Sequence, residues 1–137
     1  MEPIVVAFTE GTETWSLNLE TGPTEPWFRL TCVAPDGRSW SGAAGDVFEC
    51  LMELRREVEA VGGRLCCNGA RLDAWSSGMQ RDMGLGHSCY LVAGVPRGQR
   101  PPSVKTLDPT DPDKAVLVEE QIAWHERWVA ERSIPSD

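Results

Sequence analysis

Apolar and polar side chains alternate along the first part of the chain, which is the pattern of half-buried strands. The clearest case places Trp15, Leu17 and Leu19 on one face, with polar residues between them. The turn sequence at residues 34–37 predicts a hairpin. We therefore expect about five to seven strands, paired mainly antiparallel. The predicted strands are 4–9, 13–20, 27–33, 38–41, 64–67, 89–93 and 104–107.

Two longer segments have the period of amphipathic helices. The first covers about residues 44–61 and ends at two glycines. The second covers residues 111–132, because Asp111-Pro112 supplies a capping side chain and a first-turn proline. The predicted apolar positions are Val47, Leu51, Leu54, Val58 and Val61 in the first helix, and Leu117, Trp124 and Trp128, flanked by Val118, Ile122 and Val129, in the second.

The order of these segments predicts an α+β fold. We expect a single layer of mainly antiparallel sheet, covered by two main helices and one short helix. Residues 1–137 should form a single domain, since this length suits one hydrophobic core. Residues 95–103 contain three prolines and two arginines and are expected to form an exposed loop.

The segment between the two helices contains the stretch CNGARLDAWSSGMQRDMGLGH, residues 67–87. Asn68-Gly69 between extended segments predicts a hairpin turn. Ser77 and Gln80 have the spacing of a capping box, which predicts a short helix that ends at Gly84. Met79 and Met83 lie four residues apart on this helix and are expected to be buried.

Seven polar residues of this stretch form our candidate site. As an enzyme site, its two arginines would bind an anionic group, and His87 or an aspartate would transfer protons. As a structural element, the same arginines would pair with Asp73 and Asp82 in a polar core. Ser76, Ser77 or a cysteine next to His87 could act as a nucleophile, although no G-x-S-x-G motif is present. The candidate residues are Asn68, Arg71, Asp73, Ser77, Arg81, Asp82 and His87.

This stretch and its neighbouring residues contain two patterns that are typical of ligand sites, one for phosphate and one for a metal ion. The glycines at 84–86 follow a helix and precede a strand, the reverse of a phosphate-binding loop, so residues 76–78 are the better anion site. Cys66, Cys67, His87 and Cys89 could meet on neighbouring strands, but cysteines in strands are usually small buried apolar residues. We predict neither a metal ion nor a cofactor.

Composition narrows the class of partner. The chain has 13 basic and 21 acidic residues, a net charge of -8, which disfavours nucleic acid and anionic membranes and favours a basic protein. The five cysteines form no C-x-x-C pair, so reduced and mostly buried thiols are expected. The N-terminal apolar run is too short for a signal peptide, which predicts a cytoplasmic protein.

Residues 65–90 resemble a group of small, uncharacterised bacterial proteins that share the core LCNGAR-x-D…SGM-x-x-DMG-x-G…Y. One departure is Cys66, which is inserted before the Cys-Asn-Gly run. The resemblance covers about a fifth of the chain. It implies a bacterial cytosolic protein of an accessory or immunity kind, and it implies no reaction. The matching residues are Leu65, Cys67 to Arg71, Asp73, Ser77 to Met79, Asp82 to Gly84, Gly86 and Tyr90.

Two functions therefore stand as expectations. The first is a small acidic interaction protein, for example an immunity protein that binds and neutralises a basic toxin domain. The alternative is a small enzyme whose pocket is built from residues 68–87. For the first, the candidate contact residues are Glu2, Glu10, Glu13 and Glu20, or Glu119, Glu120, Glu126 and Glu131.

Overall fold

The computed structural model describes residues 1–133. Eight strands, three α-helices and two short 3₁₀ turns make up this part of the chain. The strands are β1 (Glu2–Phe8), β2 (Gly11–Thr21), β3 (Phe28–Val33), β4 (Ser39–Ala44), β5 (Arg64–Leu65), β6 (Ala74–Trp75), β7 (Ser88–Leu91) and β8 (Ser103–Lys105). The helices are α1 (Val47–Glu59), α2 (Gly78–Asp82) and α3 (Val118–Ser133), and the 3₁₀ turns are Asn68–Ala70 and Pro112–Lys114.

The α+β class and the antiparallel pairing are confirmed, but the strands form two sheets. The larger sheet has the order β4-β3-β2-β1-β5, and the smaller has the order β6-β7-β8. The larger sheet packs against one side of α1 through a core that includes Trp15, Leu30 and Leu51. The smaller sheet and α3 cover the other side, where Phe48 and Met52 are buried. The predicted single layer is divided because α1 is apolar on two sides and needs cover on both.

Helix α1 is shorter than the predicted segment 44–61. It begins after Asp46, whose side chain accepts a hydrogen bond from the Glu49 backbone at 2.8 Å. Its end is followed by Gly62 at φ +91°. As a result Val61 lies outside the helix and is 45% exposed, whereas the other predicted core positions are buried.

The predicted start of the C-terminal helix is wrong. Asp111-Pro112 opens only the 3₁₀ turn, and the Asp111 side chain makes no capping bond. Ala115 is then extended and bridges to Arg71, so the α-helix begins at Val118. Tertiary hydrogen bonds to the carbonyls of residues 115 and 116 compete here with continued helix. Leu117 precedes the helix, and both Leu117 and Val129 are exposed.

The connecting segments agree with most of the remaining predictions. Residues 96–102 are largely exposed, while Ser103 already belongs to β8. Arg97 donates to the backbone carbonyls of Glu131 and Arg132, which ties this loop to the end of α3. All five cysteines are free and buried, as predicted. Within residues 1–133, none of the helices has the length and apolar character that a membrane crossing requires.

Candidate functional site

The predicted hairpin at Asn68-Gly69 is wrong, because these residues form a 3₁₀ turn. The Asn68 and Gly69 amides donate to the carbonyls of Asp108 and Thr106, both at 2.8 Å. A Cβ on Gly69 would lie 2.6 Å from Leu51 Cδ2 and 2.7 Å from Thr106 Cγ2. Glycine is therefore required at position 69 because the backbone packs closely against α1 and Thr106. The side-chain amide of Asn68 donates to the Lys105 carbonyl.

Arg71 and Asp73 form an ion pair with two parallel hydrogen bonds of 2.9 Å. Each side chain is about one-fifth exposed, at 20% and 21%. The pair lies between the 3₁₀ turn and β6, and Arg71 also takes part in the backbone bridge to Ala115. This geometry agrees with the structural reading of these two residues.

The capping box on α2 is confirmed, whereas the burial of its methionines is not. The Ser77 hydroxyl accepts from the Gln80 amide, and the Gln80 side chain accepts from the Ser77 amide. Met79 and Met83 are 72% and 81% exposed, so they are not core residues. The helix turns its arginine, and not its methionines, towards α1.

The predicted pair between Arg81 and Asp82 is wrong, because Arg81 pairs with two carboxylates at the start of α1. Its guanidinium lies 3.1 Å from Asp46 Oδ2 and 2.9 Å from Glu49 Oε2, and it stacks above the Phe48 ring at 5.7 Å. Asp82 lies on the exposed side of α2. The arginine therefore joins α2 to the first turn of α1, where carboxylates are already favoured by the helix dipole.

Leu85 and Gly86, which follow α2, contact the start of α1. Leu85 has φ 55° and Gly86 has φ 74°, and the Leu85 carbonyl accepts from the Val47 amide at 2.8 Å. A Cβ on Gly86 would lie 2.7 Å from the Phe48 amide nitrogen. Both residues thus pack against the N-terminal end of α1, and the Leu85 carbonyl satisfies one of its free amides.

His87 is exposed and lines a groove beside β7 and β8. Its ring meets the Phe28 ring edge-on at 5.7 Å. The groove has a volume of about 310 Å³, and its other lining residues are Ser88, Lys105, Leu107 and Asp108. The remaining six candidates lie outside this lining.

The residues of the proposed nucleophilic site are engaged elsewhere. The Ser76 hydroxyl donates to the Ser88 carbonyl at 2.8 Å, and Ser77 caps α2. Burial raises the pKa of Cys67 to about 12 and that of Cys89 to about 11. These thiols are therefore protonated at neutral pH and are poor nucleophiles. Among residues 1–133, no three or more histidine, cysteine or acidic side chains gather closely enough to hold a metal ion.

A buried polar centre was missed by the sequence reasoning. Arg55 is 1% exposed and donates to Gln121 and to the carbonyls of Gly69 and Val116. Gln121 in turn donates to the carbonyls of Gly69 and Ala74, at 3.0 and 2.8 Å. Burial lowers the pKa of Arg55 to about 10, so it stays charged at neutral pH. A signal was available, because Arg55 continues the second apolar stripe of α1 that begins with Phe48 and Met52.

An exposed apolar surface was also missed, and we call it the methionine face. The name covers four exposed apolar side chains that lie on α2, just after it and beside the start of α1: Met79, Met83, Leu85 and Trp27. Leu85 is 44% exposed and Trp27 is 43% exposed. Trp27 and Leu85 both lie beside the start of α1, since a Cβ on Gly45 would be 3.8 Å from Trp27 Cδ1 and Leu85 caps Val47. Exposed methionines in one place are typical of protein-binding surfaces.

Comparison of the chain with protein-family models and with curated proteins found no match.

Proposed function

We propose that this protein is a binding protein whose partner is a basic protein, and that the methionine face is the contact surface. The exposure of Met79 and Met83 on a firmly held short helix is the observation that carries the proposal. Large apolar side chains cost free energy in water, and methionine packs well against surfaces of varied shape. A partner would remove this area from water.

The methionine face is held in place by polar contacts on its other side. The capping box orders the start of α2, and Arg81 ties it to Asp46 and Glu49. A preorganised surface loses little conformational freedom when a partner binds. The rigidity of this segment thus supports binding without a large rearrangement.

Leu85 supplies a second argument. A leucine at φ 55° is strained, whereas a glycine would adopt this backbone conformation easily. If the position served only to form the turn, glycine would suit it better. The side chain is nevertheless large and partly exposed. Strain of this kind is typical of functional positions, and here it supports a contact role for the leucine.

Charge indicates the kind of partner. The net charge of -8 makes two copies of this chain repel each other and attracts a basic protein. Asp82 is exposed on α2, and the Glu49 side chain is 41% exposed, so carboxylates border the methionine face. Apolar contacts surrounded by charges are the usual arrangement of a protein interface.

An immunity protein that neutralises a toxin domain is the specific form of this proposal. It is supported by the acidic charge of the chain, which suits a basic toxin domain. The enzyme alternative has weaker support, because the groove that His87 lines includes none of the other six candidate residues. Cytoplasmic localisation in a bacterium belongs to the same proposal.

The test is capture of a partner from extracts of the host, with wild-type protein and single variants. Met83→Glu places a charge on the methionine face, and Leu117→Glu is the matched control at another exposed apolar residue. We expect a basic protein to bind wild type and the control. Its affinity for Met83→Glu should be at least about tenfold lower. Biolayer interferometry with the purified partner measures this difference.

Two further measurements complete the test. Leu85→Gly should keep the free energy of unfolding within about 1 kcal/mol of wild type. Glycine removes the strain of the positive φ, and this offsets the loss of the apolar contacts of the leucine. The variant should nevertheless bind the partner more weakly. If the partner is a toxin, its expression should arrest growth, and co-expressed wild type but not Met83→Glu should restore it. Equal binding by Met83→Glu and Leu117→Glu would exclude the methionine face.

A further inference from the structure

A second groove lies at the opposite end of α1 from the methionine face. It has a volume of about 470 Å³ and is open to solvent between the β1–β2 turn and the residues that follow α1. Because α1 has 13 residues, the two ends are roughly 20 Å apart. The lining residues are Phe8, Glu10, Gly11, Thr12, Glu13 and Val61.

The apolar part of this groove consists of Phe8 and Val61. The Phe8 ring packs against Trp15, with ring centres 5.9 Å apart. Val61 is 45% exposed even though it follows a buried helix. Gly63 holds this end of α1 close to the sheet, since a Cβ there would lie 2.8 Å from Val6 Cγ1 and 2.9 Å from Val58 Cγ1. The backbone at Gly63 is thus packed closely against β1 and α1 beside the groove.

The charged part is acidic. Glu10 and Glu13 are exposed at its edge, and Glu13 accepts one hydrogen bond, 3.0 Å long, from the Trp15 indole. The lining includes no lysine or arginine. Arg64, which follows α1, donates to the Ala115 carbonyl at 2.9 Å and lines a different groove. The negative end of the α1 dipole points the same way and also favours a cation.

We infer that this groove binds an arginine side chain of the basic partner. A phenylalanine ring, an apolar valine and two carboxylates suit a guanidinium, which packs on rings and pairs with carboxylates through two hydrogen bonds. The charge complementarity selects a basic protein over a neutral one. The inference rests on the proposed function, because it assigns a second contact to the same partner. A protein interface of ordinary size is wide enough to reach both ends of α1.

The probe for the test is a pentapeptide, acetyl-Ala-Ala-Arg-Ala-Ala-amide, added to the ¹⁵N-labelled chain and followed by NMR. Its control has citrulline in place of arginine, which keeps the shape and removes the charge. We expect saturable shifts for the amides of residues 8–13 and 61–62 with the arginine peptide. The citrulline peptide should produce shifts at least about fivefold smaller at equal concentration.

Matched variants separate this groove from general charge attraction. Glu10→Gln with Glu13→Gln removes two charges from the groove, and Glu126→Gln with Glu131→Gln removes two exposed charges from α3. The first pair should weaken peptide binding at least about fivefold, and the second should change it less than about twofold. Val61→Thr should also weaken binding, because it makes the apolar wall polar.

The inference is overturned if the shifts spread over all acidic surfaces, if citrulline binds equally, or if both double variants behave alike. Such a result would leave the partner capture by the methionine face unaffected. Conversely, loss of the difference between Met83→Glu and Leu117→Glu would contradict the proposed function whatever the peptide does. The two experiments therefore fail independently.

Discussion

Arg55 is a charged residue that occupies a core position. A charged side chain is costly to bury, yet this one is almost completely enclosed and donates to two backbone carbonyls and to Gln121. These partners belong to the 3₁₀ turn, to the segment before α3 and to α3 itself. One guanidinium thus joins α1 to the parts of the chain that surround the candidate stretch.

Arg55→Met should therefore lower the free energy of unfolding by about 2–4 kcal/mol, because the buried acceptors lose their donor. The matched control is Arg56→Met, since Arg56 is adjacent and its side chain is 47% exposed beside Glu119. That variant should change stability by no more than about 0.5 kcal/mol. Urea unfolding followed by tryptophan fluorescence measures both. Equal effects would show that burial of Arg55 is not what stabilises this region.

Helix α3 is held by an aromatic stack. The His125 ring lies between Trp75 and Trp128, with ring centres 3.9 and 5.6 Å away, and Arg132 lies 4.5 Å above Trp128. Burial lowers the pKa of His125, and no group within residues 1–133 bonds to its Nδ1. The stack therefore favours the neutral imidazole.

This lowered pKa predicts a pH dependence of stability. In the unfolded chain His125 takes up a proton near pH 6.5, and in the folded chain it does so only at lower pH. The stability that neutral His125 contributes is therefore lost as the pH falls from about 6.5 towards the lower pKa of the folded state. Glu59 acts in the opposite sense, because burial raises its pKa and its contribution is lost as pH rises. We expect His125→Phe, which keeps the stack, to lose less stability than wild type between about pH 7.5 and pH 5.5.

Urea midpoints at both pH values give the comparison. His87→Phe is the control, since His87 is the other histidine and is exposed. If wild type and His125→Phe show the same change in free energy of unfolding, the half-buried His125 is not responsible for it.

The whole molecule carries a large negative charge. With 21 acidic and 13 basic residues, its charges repel one another on average, and the ion pairs of Arg71 and Arg81 offset only a part of this. This repulsion favours the expanded chain and is weakened by salt.

Added sodium chloride, from about 10 mM to about 300 mM, should raise the Tm by on the order of 3 °C. The control is the same titration near pH 4.7, the sequence pI, where the net charge is close to zero and the salt effect should become small. Circular dichroism during heating measures both. A Tm that falls with salt at neutral pH would mean that the local ion pairs outweigh the net repulsion.

Local patterns were sufficient for much of this fold. The alternation in β2, the buried positions of α1 and the capping box of α2 depend on residues a few positions apart, so periodicity and side-chain chemistry define them. The five buried thiols and the Arg71–Asp73 pair follow from similar short-range reasoning.

Tertiary packing decided the rest. Asn68-Gly69 became a 3₁₀ turn because distant carbonyls at residues 106 and 108 accept its amides. Met79 and Met83 are exposed and Arg55 is buried because Arg81 turns α2, and because the second sheet and α3 cover α1. The two proposed contact surfaces depend on which faces are left uncovered. No short window of sequence contains that information, since it depends on segments that lie far apart along the chain.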